Sequence, residues 1–186
     1  MKSYDNLNPN KYEFALHDSA IYISPIEEGL LYSAHFEFPH AEKLTCGQLL
    51  ESVWEMNPNL SYKETIKRMK ELGFIHNEEF QKNMIKNNGY IVEEEYGLID
   101  PEDVYFCFCN GEVWFQLIKE YEKDGYLSDF EIPFRKHIEE ELELDVGFEC
   151  CFSFAQDQEV LKNQLISFGY VYNEAMIEKC KEFCED

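Results

Sequence analysis

Basic residues are scarce in this chain: 16 Lys and Arg stand against 38 Asp and Glu, giving a formal charge of −22. A field of that sign repels nucleic acid and anionic membranes and steers basic partners inward. Long apolar runs are missing as well. No uninterrupted stretch reaches the roughly 18 residues of a membrane-crossing helix, and MKSYDNLNPNKYEF at the start holds no apolar core of a secretory signal. The expectation is a cytoplasmic protein with no membrane and no direct nucleic-acid contact. The nine glycines are scattered and make neither G-x-G-x-x-G nor a P-loop, so no phosphate cradle is encoded. Nor is there a G-x-S-x-G elbow or a Ser or Cys in a pattern that implies activation. No catalytic residue and no cofactor is assigned.

Cysteine is present in an odd number, seven, so at least one lacks an intrachain partner. Most lie inside apolar runs such as YFCFC and ECCFSF, where a free thiol packs as a small hydrophobe. A disulfide-stapled secreted domain is usually shorter and richer in turns. The cysteines are read as reduced. Cys107 and Cys109 sit mid-strand with no His-x₃₋₅-His partner, and Cys180 and Cys184 lie one helical turn apart. Structural zinc sites use compact C-x₂₋₄-C pairs, commonly in turns. His35 and His40 flank Pro39 and would join a site only through the fold. No metal site is expected.

What the chain does have is apolar and aromatic mass, 45% and 16% of its residues, too much for a disordered acidic tail. Its charge is also uneven. Residues 1–88 carry 13 acidic and 9 basic side chains, net −4, whereas 89–186 carry 25 and 7, net −18.

The two parts share a grammar. LGFIHNEE at 72–79 returns as FGYVYNEA at 168–175. Gly73 and Gly169 suit the left-handed end of a helix, with Phe74 placed to meet Met69 and Tyr170 to meet Leu165. Asn77 and Asn173 then suit the cap of a following helix. Ser61 and Asp157 stand as caps at the preceding helix starts. FEFP at 36–39 resembles FEIP at 130–133, 94 residues later, while the glycines stand 96 apart. Aligning 61–84 with 157–180 gives three identities, so likeness rests on the order of features. The reading is an α+β protein of two tandem related units, 1–88 and 89–186, each a β-hairpin packed against about three helices. One compact pseudo-symmetric domain is the alternative.

Within the units, AIYISPIEEGLLYSAHFEF reads as two strands turning at Pro25–Gly29, after a polar lead-in. TCGQLLESVWEM reads as a helix, with Thr45 and Gln48 at capping-box spacing and Leu49, Leu50, Val53 and Trp54 at helical spacing. Asn110-Gly111, between two strand-like runs, is the pair favoured in a type I′ turn. FRKHIEEELEL reads as an acidic helix. VGFECCFSFA fits either a strand or a counterpart of the LLESVWEM helix.

Lys63, Lys67, Arg68 and Lys70 crowd one predicted helix, but the helix after it opens on two glutamates, the wrong field for DNA. Docking against the acidic second half, or against a second copy in a homodimer, suits those cations better. His137 and Glu141, four apart, have the spacing of a proton-transfer pair, inside an acidic run where such spacing arises by chance. The functional expectation is a non-enzymatic protein that binds a basic protein: an inhibitor, an immunity or antitoxin-type protein, or an adaptor. Glu139, Glu140, Glu141, Glu143 and Asp145 would pair with Lys or Arg on the partner, with Glu93, Glu94 and Glu95 as a second patch. A DNA mimic that occupies a nucleic-acid-binding protein is one alternative. An enzyme with a cleft between the units is another.

Overall fold

A computed structural model of the chain describes residues 8–27, 41–50, 52–88, 91–124, 130, 132–146 and 150–185. The chain divides into two compact units, residues 1–89 and 90–186. Among the described residues each unit holds a mixed five-stranded sheet with interleaved helices, an α+β architecture built twice.

In unit 1, Asn8 caps a 3-10 turn at Pro9–Lys11. Strands β1 (Tyr12–His17) and β2 (Ala20–Pro25) follow as an antiparallel hairpin, with Tyr12 opposite Pro25 and His17 opposite Ala20. Helix α1 (Ala41–Leu44), strands β3 (Thr45–Leu50) and β4 (Val53–Met56), helix α2 (Tyr62–Glu71), strand β5 (Ile75–His76) and helix α3 (Glu78–Asn88) complete it. The strand order is β3-β4-β2-β1-β5, with β5 parallel to β1.

Unit 2 begins with helix α4 (Ile91–Tyr96) and a second 3-10 turn at Pro101–Asp103. Strands β6 (Val104–Cys109) and β7 (Glu112–Leu117) form its hairpin. Helices α5 (Ile118–Asp124) and α6 (Arg135–Leu142), strands β8 (Leu144–Val146) and β9 (Cys151–Phe154), helix α7 (Gln158–Ser167), strand β10 (Val171–Tyr172) and helix α8 (Met176–Glu185) follow. Its strand order, β8-β9-β7-β6-β10, repeats that of unit 1 position for position. The register repeats too: Ile21 faces Trp54 in unit 1 and Val113 faces Phe152 in unit 2.

The recurring motif is a helix stop followed by a helix start. Gly73 and Gly169 take φ of 97° and 99°, a conformation a Cβ would penalise. In unit 1, Phe74 N–H donates to the Met69 carbonyl (3.1 Å) and Gly73 N–H to Lys70 (3.0 Å). In unit 2, Tyr170 donates to Leu165 (3.1 Å) and Gly169 to Ile166 (3.0 Å). These are the paired bonds of a Schellman ending, which satisfy carbonyls the helix leaves open. The chain then runs two residues parallel to the hairpin: Asn77 N–H reaches Phe14 O (2.8 Å), and Asn173 N–H reaches Phe106 O (2.9 Å). Asn77 Oδ1 accepts from Phe80 N–H (2.9 Å), capping α3 as its sequence position implied.

Three expectations change. The first strand lies in the polar lead-in, and β2 pairs with it through a turn at Asp18-Ser19; the proposed partner strand beyond Pro25–Gly29 falls largely outside the described residues. Asp18 and Ser19 have φ of 46° and 54°, the positive values a tight hairpin turn needs, and short polar side chains tolerate them. TCGQLLESVWEM is the β3–β4 hairpin, not a helix. Its helical spacing loses to the open edge of β2, where β4 gains ladder bonds and buries Val53, Trp54 and Met56. In unit 2, the undecided VGFECCFSFA segment supplies strand β9, so both counterparts are strands. Each sheet therefore extends well beyond the hairpin expected of it.

The near-continuous apolar run of β6 is explained by burial on both faces. Phe106 and Phe108 join Val113, Phe115, Phe152, Ile138, Leu142, Leu161 and Leu165 in one cluster. Cys107 and Cys109 join Trp114, Cys151, Met176 and Cys180 in another. Helices α6 and α7 thus contribute to one face and α8 to the other. Each fully buried Phe of the larger cluster stabilises by about 1.5–3 kcal/mol through burial alone. No helix among the described residues is long and apolar enough to cross a membrane.

Candidate functional site

The acidic run of unit 2 sits where the two units differ in length. Gly47 and Asp145 hold the same place in their sheets, opposite Glu55 and Ser153 respectively. From Pro39 to Gly47 the chain advances 8 residues; from Pro133 to Asp145 it advances 12. Helix α1 (Ala41–Leu44) stands ahead of this strand in unit 1 and α6 (Arg135–Leu142) in unit 2. The segment ahead of this strand is four residues longer in unit 2, and there it carries Glu139, Glu140 and Glu141. Unit 1 builds the same strand order from the shorter segment.

Both ends of α6 are held. The Tyr170 hydroxyl donates to the Pro133 carbonyl just ahead of the helix. At the other end Gln156 Nε2 donates to the Leu142 carbonyl (2.8 Å), one of the acceptors a helix leaves open. Ile138 and Leu142, one turn apart, are buried in the core and fix which face turns outward. Glu140 then lies opposite the buried stripe and is exposed, as are Glu141, Glu143 and Asp145.

The carboxylates are not equivalent. Glu139 is half-buried and accepts from Arg135 Nε at 2.8 Å, while the Arg135 guanidinium also lies over the Phe152 ring. Glu141 stands 3.4 Å from His137 Nε2. His137 is itself packed edge-on against Phe168, centroids 5.4 Å apart. Among the described residues no ion pair involves Glu140, Glu143 or Asp145. Glu143 ends the helix in the left-handed region, φ 51°, which turns the chain sharply into β8. These three exposed carboxylates are thus grouped on a braced helix end and the strand after it.

The second patch does not assemble in the same way. Glu93 is 8% exposed, so its carboxylate is turned inward. The side chain of Glu94 lies outside the described residues. Glu95 is exposed, close to Tyr96. Tyr96 donates to Glu120 (2.7 Å), and that bond, with some burial and the nearby Glu95, drives the phenol's pKa far upward.

The crowded lysines of α2 are largely engaged at home. Arg68 and Lys67 reach Glu64 at 2.9 and 3.6 Å, and Lys70 reaches Glu78 at 4.0 Å. Among the described residues no group of three or more His, Cys, Asp or Glu is arranged to hold a metal. His35 and His40 lie outside the described residues.

Sequence reasoning missed one pairing. Cys107 on β6 and Cys180 on α8 place their sulfurs 3.6 Å apart in the buried sulfur-rich cluster. Their mutual hydrogen bond raises the Cys107 pKa, with burial adding to it, and lowers that of Cys180 against the opposing effect of burial. The available signal was the repeat itself. Cys107 and Ala15 occupy matching hairpin positions, and Cys180 and Met84 each stand seven residues past the Asn of the motif. Asn173, unlike Asn77, does not cap its helix: it accepts from Ala175 N–H, and α8 begins only at Met176.

No known family model, curated protein or solved structure matches this chain.

Proposed function

We propose that the α6–β8 segment of unit 2 is a docking surface for a basic protein, and that the chain acts without catalysis, as an inhibitor, an immunity or antitoxin-type protein, or an adaptor. The observation that carries this reading is the longer acidic segment ahead of β8. Unit 1 builds the same strand order from a segment four residues shorter with one glutamate, Glu42, so the acidic run is not required by the topology. Glu140, Glu143 and Asp145 are exposed, and the helix bearing them is braced at both ends. A helix braced in advance loses less backbone freedom when its carboxylates pair with Lys or Arg than a mobile segment does. A net charge of −18 across 89–186 adds long-range attraction to any basic partner.

The test is capture of partners from the source cell on the full-length chain, with the retained protein identified and its affinity remeasured using purified components. A basic partner whose affinity falls at least ~10-fold between roughly 50 and 200 mM salt fits a charge-steered interface. The same affinity should fall on combining Glu140→Gln, Glu143→Gln and Asp145→Asn. Binding indifferent to both salt and these substitutions removes the proposal. Displacement of the partner from its own DNA or RNA would specify the mimic form of this reading.

A further inference from the structure

Cys107 and Cys180 are both fully buried, on different elements, with their sulfurs 3.6 Å apart. A disulfide needs about 2.05 Å, so closing the pair requires the two sulfurs to approach by about 1.5 Å. The topology does not demand thiols here. Unit 1 has Ala15 and Met84 at the matching positions and forms the same strand order. Their surroundings, Cys109, Cys151, Met176 and Trp114, are apolar and soft, and hold no third ligand in metal-binding geometry among the described residues.

We propose that Cys107 and Cys180 are a reversible dithiol–disulfide site that fastens the C-terminal helix α8 to the central strand β6, with a low-molecular-weight disulfide RSSR as oxidant. Access comes through local release of α8. This helix has ten residues and exposes Glu178, Lys181 and Glu182, the profile of an element that opens ahead of the core. The Cys180 thiolate attacks one sulfur of RSSR, forming a mixed disulfide and releasing RS⁻. The Cys107 thiolate then attacks the Cys180 sulfur and expels the second RS⁻. The two thiol protons end on the two RS⁻ ions, so the protein dithiol is oxidised by two electrons and RSSR is reduced to two RSH. Cys180 leaves the core with the released helix and so meets RSSR first, while Cys107 stays on the central strand. The bond would close a separation of 73 residues and restrict the unfolded chain accordingly.

The experiment uses the full-length reduced protein, equilibrated in graded mixtures of oxidised and reduced glutathione, alkylated, digested and mapped for linked peptides. The expected result is a Cys107–Cys180 link as the first intramolecular disulfide, present in wild type and Cys109→Ser and absent in Cys180→Ser. The oxidised form should show slower amide exchange in α8 and a Tm higher by about 5–10 °C, both reversed by reductant. Mapping of wild type alone decides the matter if a variant fails to fold. Recovery of Cys107 and Cys180 both alkylated while the exposed Cys46 is oxidised would overturn the proposal. So would a first link from either residue to Cys109 or Cys151.

Discussion

Units 1 and 2 place their strands in the same order and register, yet one is nearly neutral and the other strongly acidic. What they share marks what the fold needs: a hairpin with two positive-φ turn residues, a glycine that stops a helix, an asparagine whose N–H bonds the hairpin strand, and aromatic or aliphatic residues facing the helices. What differs is free to serve something else. In unit 2 that includes the longer acidic segment that holds α6, and the sulfur pair where unit 1 has Ala15 and Met84. A difference between two copies of one architecture is more informative than a motif standing alone, because the other copy is an internal control.

The comparison breaks most visibly in the core. Phe14 and Phe106 are both fully buried at matching positions, packed against His76 and Tyr172 respectively. Phe14→Ala and Phe106→Ala should each cost about 3–5 kcal/mol, read from urea midpoints and from hydrogen exchange in that unit's own strands. Unequal costs would mean that the two cores, though topologically alike, do not carry equal weight.

A smaller effect tests the helix stops. Alanine at Gly73 or Gly169 must adopt a left-handed backbone, a cost of about 1–2 kcal/mol. The sites then separate. A Cβ at Gly73 would meet Asn10 Oδ1 at 3.0 Å, whereas one at Gly169 would meet Pro101 Cβ at 3.4 Å. Thermal unfolding should therefore rank Gly73→Ala below Gly169→Ala. The reverse order would show that the 3-10 turn of unit 1 yields easily.

The smallest effect concerns pH. His17 ends β1 where Cys109 ends β6, so unit 1 alone has a titrating group at this place near neutral pH. Burial lowers the His17 pKa from 6.5, with Asp18 opposing. The unfolded chain therefore takes up the proton first, and His17 draws stability down as pH falls below 6.5 toward its folded value, then no further. His17→Gln should flatten that part of the profile, measured as urea midpoints from about pH 7.5 to 5. Profiles that superimpose would remove His17 from the acid response.

Legibility in the sequence followed the physics of each feature. The Gly-Asn punctuation and the Asn110-Gly111 turn were readable because they depend on the conformational freedom of one or two residues. Helix α6 was readable because Ile138 and Leu142 stand one turn apart in an acidic run. Strand β1 was obscured because its turn uses Asp18-Ser19 in place of an Asn-Gly pair. The β3–β4 hairpin was obscured because a partner distant in sequence, β2, decides its state, and Leu49 and Leu50 at helical spacing stay exposed on an edge strand. Glu93 looked like part of an exposed acidic cluster; its burial depends on packing that local charge does not report. The sulfur pair could not be read from C-x-C spacing, since its members lie on a strand and a helix 73 residues apart.

The central claim is that the exposed acid of α6–β8 serves recognition and leaves the fold of unit 2 to its core. The direct measurement is the Tm of the full-length chain carrying Glu140→Gln, Glu143→Gln and Asp145→Asn together. Relief of repulsion in an overcharged unit should leave Tm unchanged or raise it, a stability change no worse than about 0.5 kcal/mol. A fall of several degrees, roughly what a loss of 1–2 kcal/mol produces in a protein of this size, would show instead that these carboxylates hold unit 2 together.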